Sequence, residues 1–173
     1  MPDLNVLRTA LRQEAVRLLG RREHSRAELS RKLSEGAGRH PALSELPAEE
    51  QQVLIEEVLG GLVEAKWQSD TRFAQQRVNQ RGARYGNRAL AQDLARRGIA
   101  ETDIAQALSA GNDEMTRCHA VWAKKFGAVS VSRDELPRQI RFLQSRGFSG
   151  ETIRTVLKSA GETTSPEWLE DHD

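Results

Sequence analysis

Apolar residues recur at intervals of three and four along most of the chain, the spacing that places them on one face of an α-helix. Leu90, Ala91 and Leu94 illustrate this spacing between residues 87 and 97. No segment sustains the alternation of apolar and polar residues that a half-buried strand requires, and the nearest case, Val-Ser-Val-Ser at 129–132, is too short. The pattern therefore predicts an all-α protein.

Capping residues and glycines mark where these helices begin and end. Ser25 with Glu28, and Ser132 with Glu135, have the spacing of a capping box. Gly98 suits a helix stop with positive φ, because glycine tolerates that conformation. The predicted helices are 4–19, one opened by Ser25, 47–65, 70–81, 87–97, 102–110, 112–126, one from Ser132 to Gly147, and 149–160, with Asp70, Asn112 and Ser149 as caps.

An internal repeat with an offset of 49 residues organises much of the chain. The offset pairs residues of like character, namely Phe73 with Trp122, Leu94 with Leu143, Gly98 with Gly147, Ile99 with Phe148, Ile104 with Ile153, Ala107 with Val156, and Leu108 with Leu157. A looser upstream copy aligns Leu29 and Leu33 with Leu90 and Leu94, and it carries an insert at 36–46. Periods of this length are typical of stacked helical units.

The repeat divides the chain into three tandem three-helix repeats, at 1–67, 68–111 and 112–160, followed by an acidic flexible tail at 161–173. Each repeat is too small to bury much surface alone, so we expect neighbours to share packing in an elongated, curved arrangement. Phe73 and Trp122 occupy equivalent positions and are expected in the core. The helix at 47–65 carries the apolar residues Val53, Leu54, Val58, Leu59 and Leu62, and Trp67 is expected to seal the first repeat.

Charge distinguishes the repeats from one another. The chain carries 26 Lys and Arg against 25 Asp and Glu. Residues 1–67 hold 10 basic and 11 acidic side chains, residues 68–111 hold 7 and 4, residues 112–160 hold 9 and 5, and the tail holds 5 acidic side chains and no Lys or Arg. The positive second and third repeats favour a polyanion or an acidic protein face as partner, with a merely solvated surface as the alternative. The tail is expected to screen this surface from DNA.

The residues that catalysis or metal binding would require are missing. One cysteine, Cys118, excludes a disulfide framework and a multi-thiolate zinc site, and we expect it to be buried. The four histidines lack zinc-motif spacing, and there is no glycine-rich phosphate loop. No apolar run approaches the roughly 20 residues that span a bilayer, and no signal peptide is evident. We predict a cytoplasmic monomer that is not an enzyme, holds no cofactor or metal, and has no membrane partner.

Three groups of residues resemble the RecX family, the regulatory proteins of the RecA recombinase. They are RREHSRAEL at 21–29 with KL at 32–33; SDTRFA at 69–74 with RYG at 84–86 and LARRG at 94–98; and KKFG at 124–127 with FLQSRGFS at 142–149. Each group alone is a cap and a helix face, but all three occur in order on a threefold repeat. Ala100, where a Ser or Thr cap would suit, and the insert at 36–46 depart from the family pattern.

The resemblance implies a non-enzymatic modulator, mainly an inhibitor, of RecA. RecX proteins look like clamps that lie along the groove of the RecA filament on single-stranded DNA. They limit filament growth or promote disassembly, and so restrain strand exchange, ATP hydrolysis and the repressor cleavage of the SOS response. The implied partners are the RecA filament and single-stranded DNA, contacted directly or through RecA, in homologous recombination and DNA repair.

Basic residues in three stretches are the candidates for contact with RecA or with DNA phosphates, which suit the forked guanidinium of Arg. They are Arg21, Arg22 and Arg26; Arg81, Arg84, Arg88, Arg96 and Arg97; and Lys124, Lys125, Arg138, Arg141 and Arg146. For each, the alternative is a solvated face. Tyr85 has two interpretations, stacking on a base or packing beside Gly86, and we favour the second.

Two other functions compete with RecA regulation. Residues 87–97 followed by Gly98 superficially resemble a helix-turn-helix, which would indicate a sequence-specific DNA-binding protein. Such proteins are usually dimers, and the three spaced copies without a dimerisation segment argue against this interpretation. A nuclease is disfavoured because the chain lacks a cluster of metal-binding carboxylates.

Overall fold

A computed structural model describes residues 3–127 and 135–163, and every regular element within those ranges is an α-helix. The helices are α1 (Leu4–Leu19), α2 (Arg26–Ala37), α3 (Pro41–Ser44), α4 (Ala48–Glu64), α5 (Asp70–Arg81), α6 (Asn87–Ala95), α7 (Glu101–Ala110), α8 (Glu114–Phe126), α9 (Leu136–Ser145) and α10 (Gly150–Thr163). The all-α prediction is confirmed.

The first core lies where α1, α2 and α4 pack together. The leucines of these helices recur at i, i+4, as in Leu7 and Leu11 of α1 and Leu29 and Leu33 of α2, and all four are buried. The insert at 36–46 contains the short helix α3, whose Leu43 is buried in the same core. The insert therefore enlarges the core instead of forming a detached loop.

The last core lies where α8, α9 and α10 pack together. Cys118, Trp122 and Leu143 are buried in it, and the indole N–H of Trp122 donates to Oε1 of the buried Gln139 at 2.8 Å. Pro137 lies in the first turn of α9, where its missing N–H costs no intrahelical bond. The expected burial of Cys118 and Trp122 is confirmed.

The offset of 49 residues holds in three dimensions. Gly98 and Gly147 both have positive φ, 76° and 81°, and each ends the second helix of its repeat. Ile99 and Phe148, which follow them, are both buried, and each donates its backbone N–H to a leucine carbonyl of the helix just completed. Phe73 is buried as predicted. The repeat is therefore structural as well as sequential.

Contacts group the described chain into two compact units. Unit 1 takes the described residues up to 76 together with 94–104, and unit 2 takes 77–93 together with the described residues from 105 onward. The division crosses α5, α6 and α7, so the second repeat contributes to both units. The sequence boundaries of the three repeats stay a prediction.

Each unit contains a junction between consecutive repeats, and both junctions use the carbonyl just before a positive-φ glycine. In unit 1 the hydroxyl of Ser25 donates to the Arg97 carbonyl at 2.8 Å. In unit 2 the backbone N–H of Gly86 donates to the Arg146 carbonyl at 2.9 Å. Ser25 and Gly86 correspond in the sequence alignment, so the same point of each repeat meets its successor.

A carboxylate completes each junction. Asp70, the first residue of α5, accepts the backbone N–H of Arg26 at 2.8 Å, and Glu114, the first residue of α8, accepts that of Asn87 at 2.7 Å. Arg26 and Asn87 begin α2 and α6, where the N–H groups have no partner within the helix. One repeat therefore caps the second helix of the repeat before it.

Two predicted helix caps are wrong. Asp113, not Asn112, caps α8, since its side chain accepts the Thr116 N–H at 3.1 Å. Ser69, not Asp70, accepts the Arg72 N–H at 3.2 Å at the start of α5. The caps at Ser25 and Ser149 are confirmed by the N–H groups that they accept.

Of the apolar residues named for the helix at 47–65, Leu54, Val58, Leu59 and Leu62 are buried in α4, together with Ile55, whereas Val53 is 58% exposed. One burial prediction is wrong. Trp67 is 53% exposed and does not seal the first repeat. Residues 161–163, predicted as part of the flexible tail, are the last residues of α10, so the helix extends beyond its predicted end at 160. The Ser132 capping box and residues 164–173 of the acidic tail, with Trp168, lie outside the described residues.

Candidate interaction surface

Basic and aromatic side chains alternate along one row in unit 2. The guanidinium carbon of Arg81 lies 4.6 Å from the ring centre of Tyr85, and that of Arg146 lies 5.6 Å from Tyr85 and 5.2 Å from Phe142. Lys125 Nζ lies 6.0 Å from Phe142. We call these five residues the basic–aromatic row. Cations over ring faces gain electrostatic attraction at these distances.

Helix ends bring the row together. Arg81 ends α5 and Arg146 is the C-cap of α9, while Lys125 lies in the last turn of α8. Tyr85 lies four residues after Arg81, and Phe142 lies four before Arg146. Phe142 and the cation–π contacts were missed from the sequence, although the i, i+4 spacing was a usable signal.

The row carries excess positive charge. Arg81 shares one carboxylate, Asp93, with Arg77, at N–O distances of 3.3 and 2.7 Å. Arg146 and Lys125 form no ion pair with any residue that the structure describes. A surface of this kind attracts phosphates or carboxylates.

Further predicted basic residues are exposed and form no ion pair within the described ranges. They are Arg84, Arg88, Arg141 and Lys124 in unit 2, and Arg21 and Arg96 in unit 1. Arg138 is exposed as well and contacts Glu135 at 3.4 Å. Arg84, Arg88 and Arg141 therefore have guanidinium groups free to bind an anion without breaking a native contact.

The remaining predicted residues of unit 1 are occupied by ion pairs. Arg26 contacts Glu56 at 2.8 Å, Arg22 contacts Glu28 at 3.1 Å, and Arg97 also contacts Glu28. Glu28 lies next to the junction between the first and second repeats, so Arg97 has a structural task there. The structure thus sets these three residues apart from the exposed cations of unit 2.

Glu28 and the buried His24 form one electrostatic network. Nδ1 of His24 lies 3.3 Å from Oε2 of Glu28. Burial, together with the charge of Arg22, lowers the pKa of His24 below its usual 6.5 despite the charge of Glu28. Burial disfavours the ionised form of Glu28, yet the hydrogen bond and charge of Arg22 and the charge of Arg97 hold the pKa of Glu28 below 4.5. Both shifts favour neutral His24 beside ionised Glu28.

Arg117 closes the junction of unit 2 and was not singled out from the sequence. Its side chain is buried and donates to the carbonyls of Asn112 at 2.9 Å and Tyr85 at 2.6 Å, and to Oδ1 of Asn87. Burial lowers the pKa of Arg117 from its usual range, while the charge of Glu114 opposes this. These bonds fix the backbone that carries Tyr85.

Among the described residues, no group of His, Cys, Asp and Glu could hold a metal ion. Burial raises the pKa of Cys118 to about 12, so this thiol is not a nucleophile at neutral pH. None of the described helices has the length and apolar composition to cross a membrane.

Comparison with known proteins gives consistent matches. Residues 69–108 match the family model described as RecX, second three-helix domain, and residues 112–157 match RecX, third three-helix domain. The regulatory protein RecX of Chromobacterium violaceum is 36% identical over 153 residues, covering 88% of this chain and 92% of that protein. That of Ralstonia pickettii is 32% identical over 165 residues, covering 95% and 93%.

A solved structure shows the same fold. The crystal structure of RecX from Lactobacillus salivarius superposes with a TM-score of 0.70 at 18% identity, covering 88% of this chain and 96% of that one. At such low identity the likeness concerns the helical architecture alone.

Proposed function

This chain belongs to the RecX family of regulatory proteins, and on that premise we propose that it modulates, mainly by inhibition, the RecA recombinase. It binds the RecA filament on single-stranded DNA, limits filament growth, and so restrains ATP hydrolysis, strand exchange and RecA-stimulated repressor cleavage. It acts as a non-enzymatic monomer in the cytoplasm, in recombination, DNA repair and the SOS response.

The observation that carries this proposal is the excess positive charge of unit 2. The basic–aromatic row, with the exposed Arg84, Arg88 and Arg141, can bind two kinds of anion on a filament: the DNA backbone and acidic side chains of RecA. Several such contacts on one folded unit reinforce one another, because the first contact raises the effective concentration for the rest.

The test is RecA ATP hydrolysis on single-stranded DNA with this protein added below the RecA concentration. The wild-type protein is expected to inhibit hydrolysis. The triple variant Arg84→Glu, Arg88→Glu, Arg141→Glu should need about tenfold more protein for the same inhibition, since reversed charges oppose association. Arg97 is left intact, because its ion pair with Glu28 would confound the result.

The matched control reverses Arg12 and Arg39 of unit 1, which are exposed and form no ion pair within the described ranges. This variant should inhibit like the wild type. If the triple variant inhibits as well as the control while its circular dichroism is unchanged, the charge of unit 2 is not the recognition element. Tight binding of one duplex sequence without RecA would instead favour a helix-turn-helix DNA-binding protein.

A further inference from the structure

Trp67 lies exposed on the turn that follows α4. It is 53% exposed, and Val63, one turn earlier, is 40% exposed. Phe73 and Trp122 are buried, so exposure is not the general state of large aromatics in this chain. No hydrogen bond links the Trp67 indole N–H to any described residue, so this donor is available to a partner.

The backbone of this turn is tightly defined. Lys66 has a φ of 60°, unusual for a residue other than glycine. Its N–H donates to the Val63 carbonyl at 2.9 Å, and the Trp67 N–H donates to the Leu62 carbonyl at 2.9 Å. These two bonds form the Schellman motif that ends many helices. The backbone position from which the Trp67 side chain projects is therefore fixed.

A second set of contacts holds the turn from the other side. The Arg72 guanidinium donates to the carbonyls of Lys66 at 3.1 Å and Trp67 at 3.0 Å, and to Glu23 at 2.9 Å. Gln68 is buried and donates to the His24 carbonyl at 3.2 Å. An exposed tryptophan on a turn this well fixed loses little conformational entropy when a partner covers it.

The charges around Trp67 indicate the class of partner. Arg72 is paired with Glu23, and Arg26, which lines the adjacent cavity of about 480 Å³, is paired with Glu56. This differs from unit 2, where unpaired guanidinium groups suit phosphates. Lys66 and Glu64, which precede Trp67 in the chain, are both exposed and carry opposite charges, so the charges close to Trp67 balance. A charge-balanced surface with an exposed tryptophan and a free indole N–H suits a protein pocket better than a nucleic-acid backbone.

We propose that Trp67, flanked by Val63, is the anchor that docks this protein onto RecA, inserting into an apolar pocket that offers an acceptor to the indole N–H. The inference rests on the proposed function and deepens it: the neutral anchor binds protein, whereas the unpaired cations of unit 2 bind anions. Tryptophan is among the residues that most often dominate a protein interface.

The test compares Trp67→Ala with Val53→Ala, a matched removal of an exposed apolar side chain from the same unit. Affinity for the RecA filament is measured by the protein concentration that half-inhibits ATP hydrolysis, and affinity for single-stranded DNA alone by fluorescence anisotropy. Trp67→Ala should weaken filament binding about 30-fold, the size of effect typical of interface hot spots. Val53→Ala should change it less than twofold, and neither should alter DNA binding or the midpoint of thermal unfolding.

Each other outcome overturns the inference in its own way. Unchanged inhibition by Trp67→Ala removes the anchor but leaves RecA regulation standing. Weaker binding to single-stranded DNA makes Trp67 a base-stacking platform, and a lowered unfolding midpoint makes it structural. Failure of the wild-type protein to inhibit RecA refutes the proposed function itself.

A spectroscopic measurement needs no loss of function. The protein is labelled with 5-fluorotryptophan, and Trp67→Phe identifies the Trp67 fluorine resonance. Unlabelled RecA on single-stranded DNA should shift or broaden this resonance, while single-stranded DNA alone should not. A Trp67 resonance that stays unchanged at saturating RecA filament contradicts the docking.

Discussion

The junctions of unit 1 and unit 2 join equivalent points of successive repeats with different chemistry. In unit 1 a side chain, the hydroxyl of Ser25, reaches the Arg97 carbonyl, and ion pairs of Glu28 lie beside it. In unit 2 the backbone of Gly86 itself reaches the Arg146 carbonyl. The two junctions therefore differ in the distance between the backbones of successive repeats. In unit 1 the Ser25 side chain fits between them, whereas in unit 2 there is no room for a Cβ at position 86.

The arginines of the two junctions show the same contrast. Arg97 of unit 1 is partly exposed and forms an ion pair with a carboxylate, that of Glu28. Arg117 of unit 2 is buried and donates mainly to backbone carbonyls. A charge satisfied by carbonyls depends on the exact path of the backbone, so we expect the junction of unit 2 to be the less tolerant of change.

The largest effect is expected from Gly86→Ser, which copies the residue of unit 1 into unit 2. A Cβ at position 86 would lie 2.4 Å from the Gly147 carbonyl oxygen and 2.5 Å from Phe148 Cα. These are backbone atoms, which cannot rotate away as a side chain can, so the unfolding free energy should fall by about 3 kcal/mol or more. Urea unfolding monitored by Trp122 fluorescence, with Trp67 and Trp168 replaced by Phe, measures it.

The reciprocal change, Ser25→Gly, serves as its control. It removes one helix cap and one hydrogen bond to the Arg97 carbonyl, and should cost about 1 kcal/mol. If Gly86→Ser and Ser25→Gly cost the same, the two junctions are equally tolerant and the contrast fails.

An intermediate effect is expected from alanine at the positive-φ glycines. Both Gly98→Ala and Gly147→Ala should lose about 1 kcal/mol from the left-handed backbone alone. A Cβ at Gly147 would also lie 2.6 Å from the Ala89 backbone nitrogen, whereas at Gly98 the close neighbour is the Ala27 Cβ, at 2.6 Å. Gly147→Ala should therefore be the more destabilising by about 1–2 kcal/mol in urea unfolding.

A double variant sharpens this comparison. Ala27→Gly removes the atom that a Cβ at Gly98 would meet, so it should recover part of the loss in Gly98→Ala, a coupling that a double-mutant cycle detects. Ala89→Gly should rescue Gly147→Ala less, because a backbone atom remains in the way. Equal rescue at both sites would contradict the interpretation that a side chain limits position 98 and backbone limits position 147.

The smallest effect concerns pH and belongs to unit 1. His24 has a lowered pKa in the folded protein, so the unfolded chain takes up its proton first as the pH falls. The contribution of neutral His24 to stability is therefore complete above pH 6.5 and declines below it. Urea unfolding between pH 7 and 5 should show this decline.

His24→Gln should flatten that pH dependence, and His119→Gln, which changes an exposed histidine in unit 2, should leave it intact. A pH profile that is identical in all three proteins would show that His24 is not the group responsible.

Local signals in the sequence were enough for most of the fold. The bounds of α1 were predicted to the residue and those of α5 to within about one residue, because they depend on helical periodicity and on residues adjacent in the chain. Gly98 and Gly147 were predictable as helix stops, since the left-handed conformation that glycine tolerates is a property of one residue. The repeat offset transferred these predictions from one copy to the next.

Long-range contacts were beyond the sequence. Arg97 forms an ion pair with Glu28, 69 residues away, whereas Arg84 has no ion pair. This difference depends on the path of the whole chain, which local sequence signals do not reveal. Trp67 was expected inside because it is large and apolar, and its exposure follows from the turn that Lys66 and Arg72 impose. Charge content could be read from composition, but which cations remain free could not.

Cys118 allows the opening of unit 2 to be measured by thiol alkylation. It is the single cysteine, fully buried in the core of unit 2, with its thiol pKa raised to about 12. An alkylating reagent can reach the thiol only in molecules whose unit 2 is momentarily open, so the labelling rate counts those openings without a reporter group having to be introduced. Comparing that rate with and without RecA filaments would reveal whether binding to the filament makes unit 2, which carries the basic–aromatic row, open less or more often.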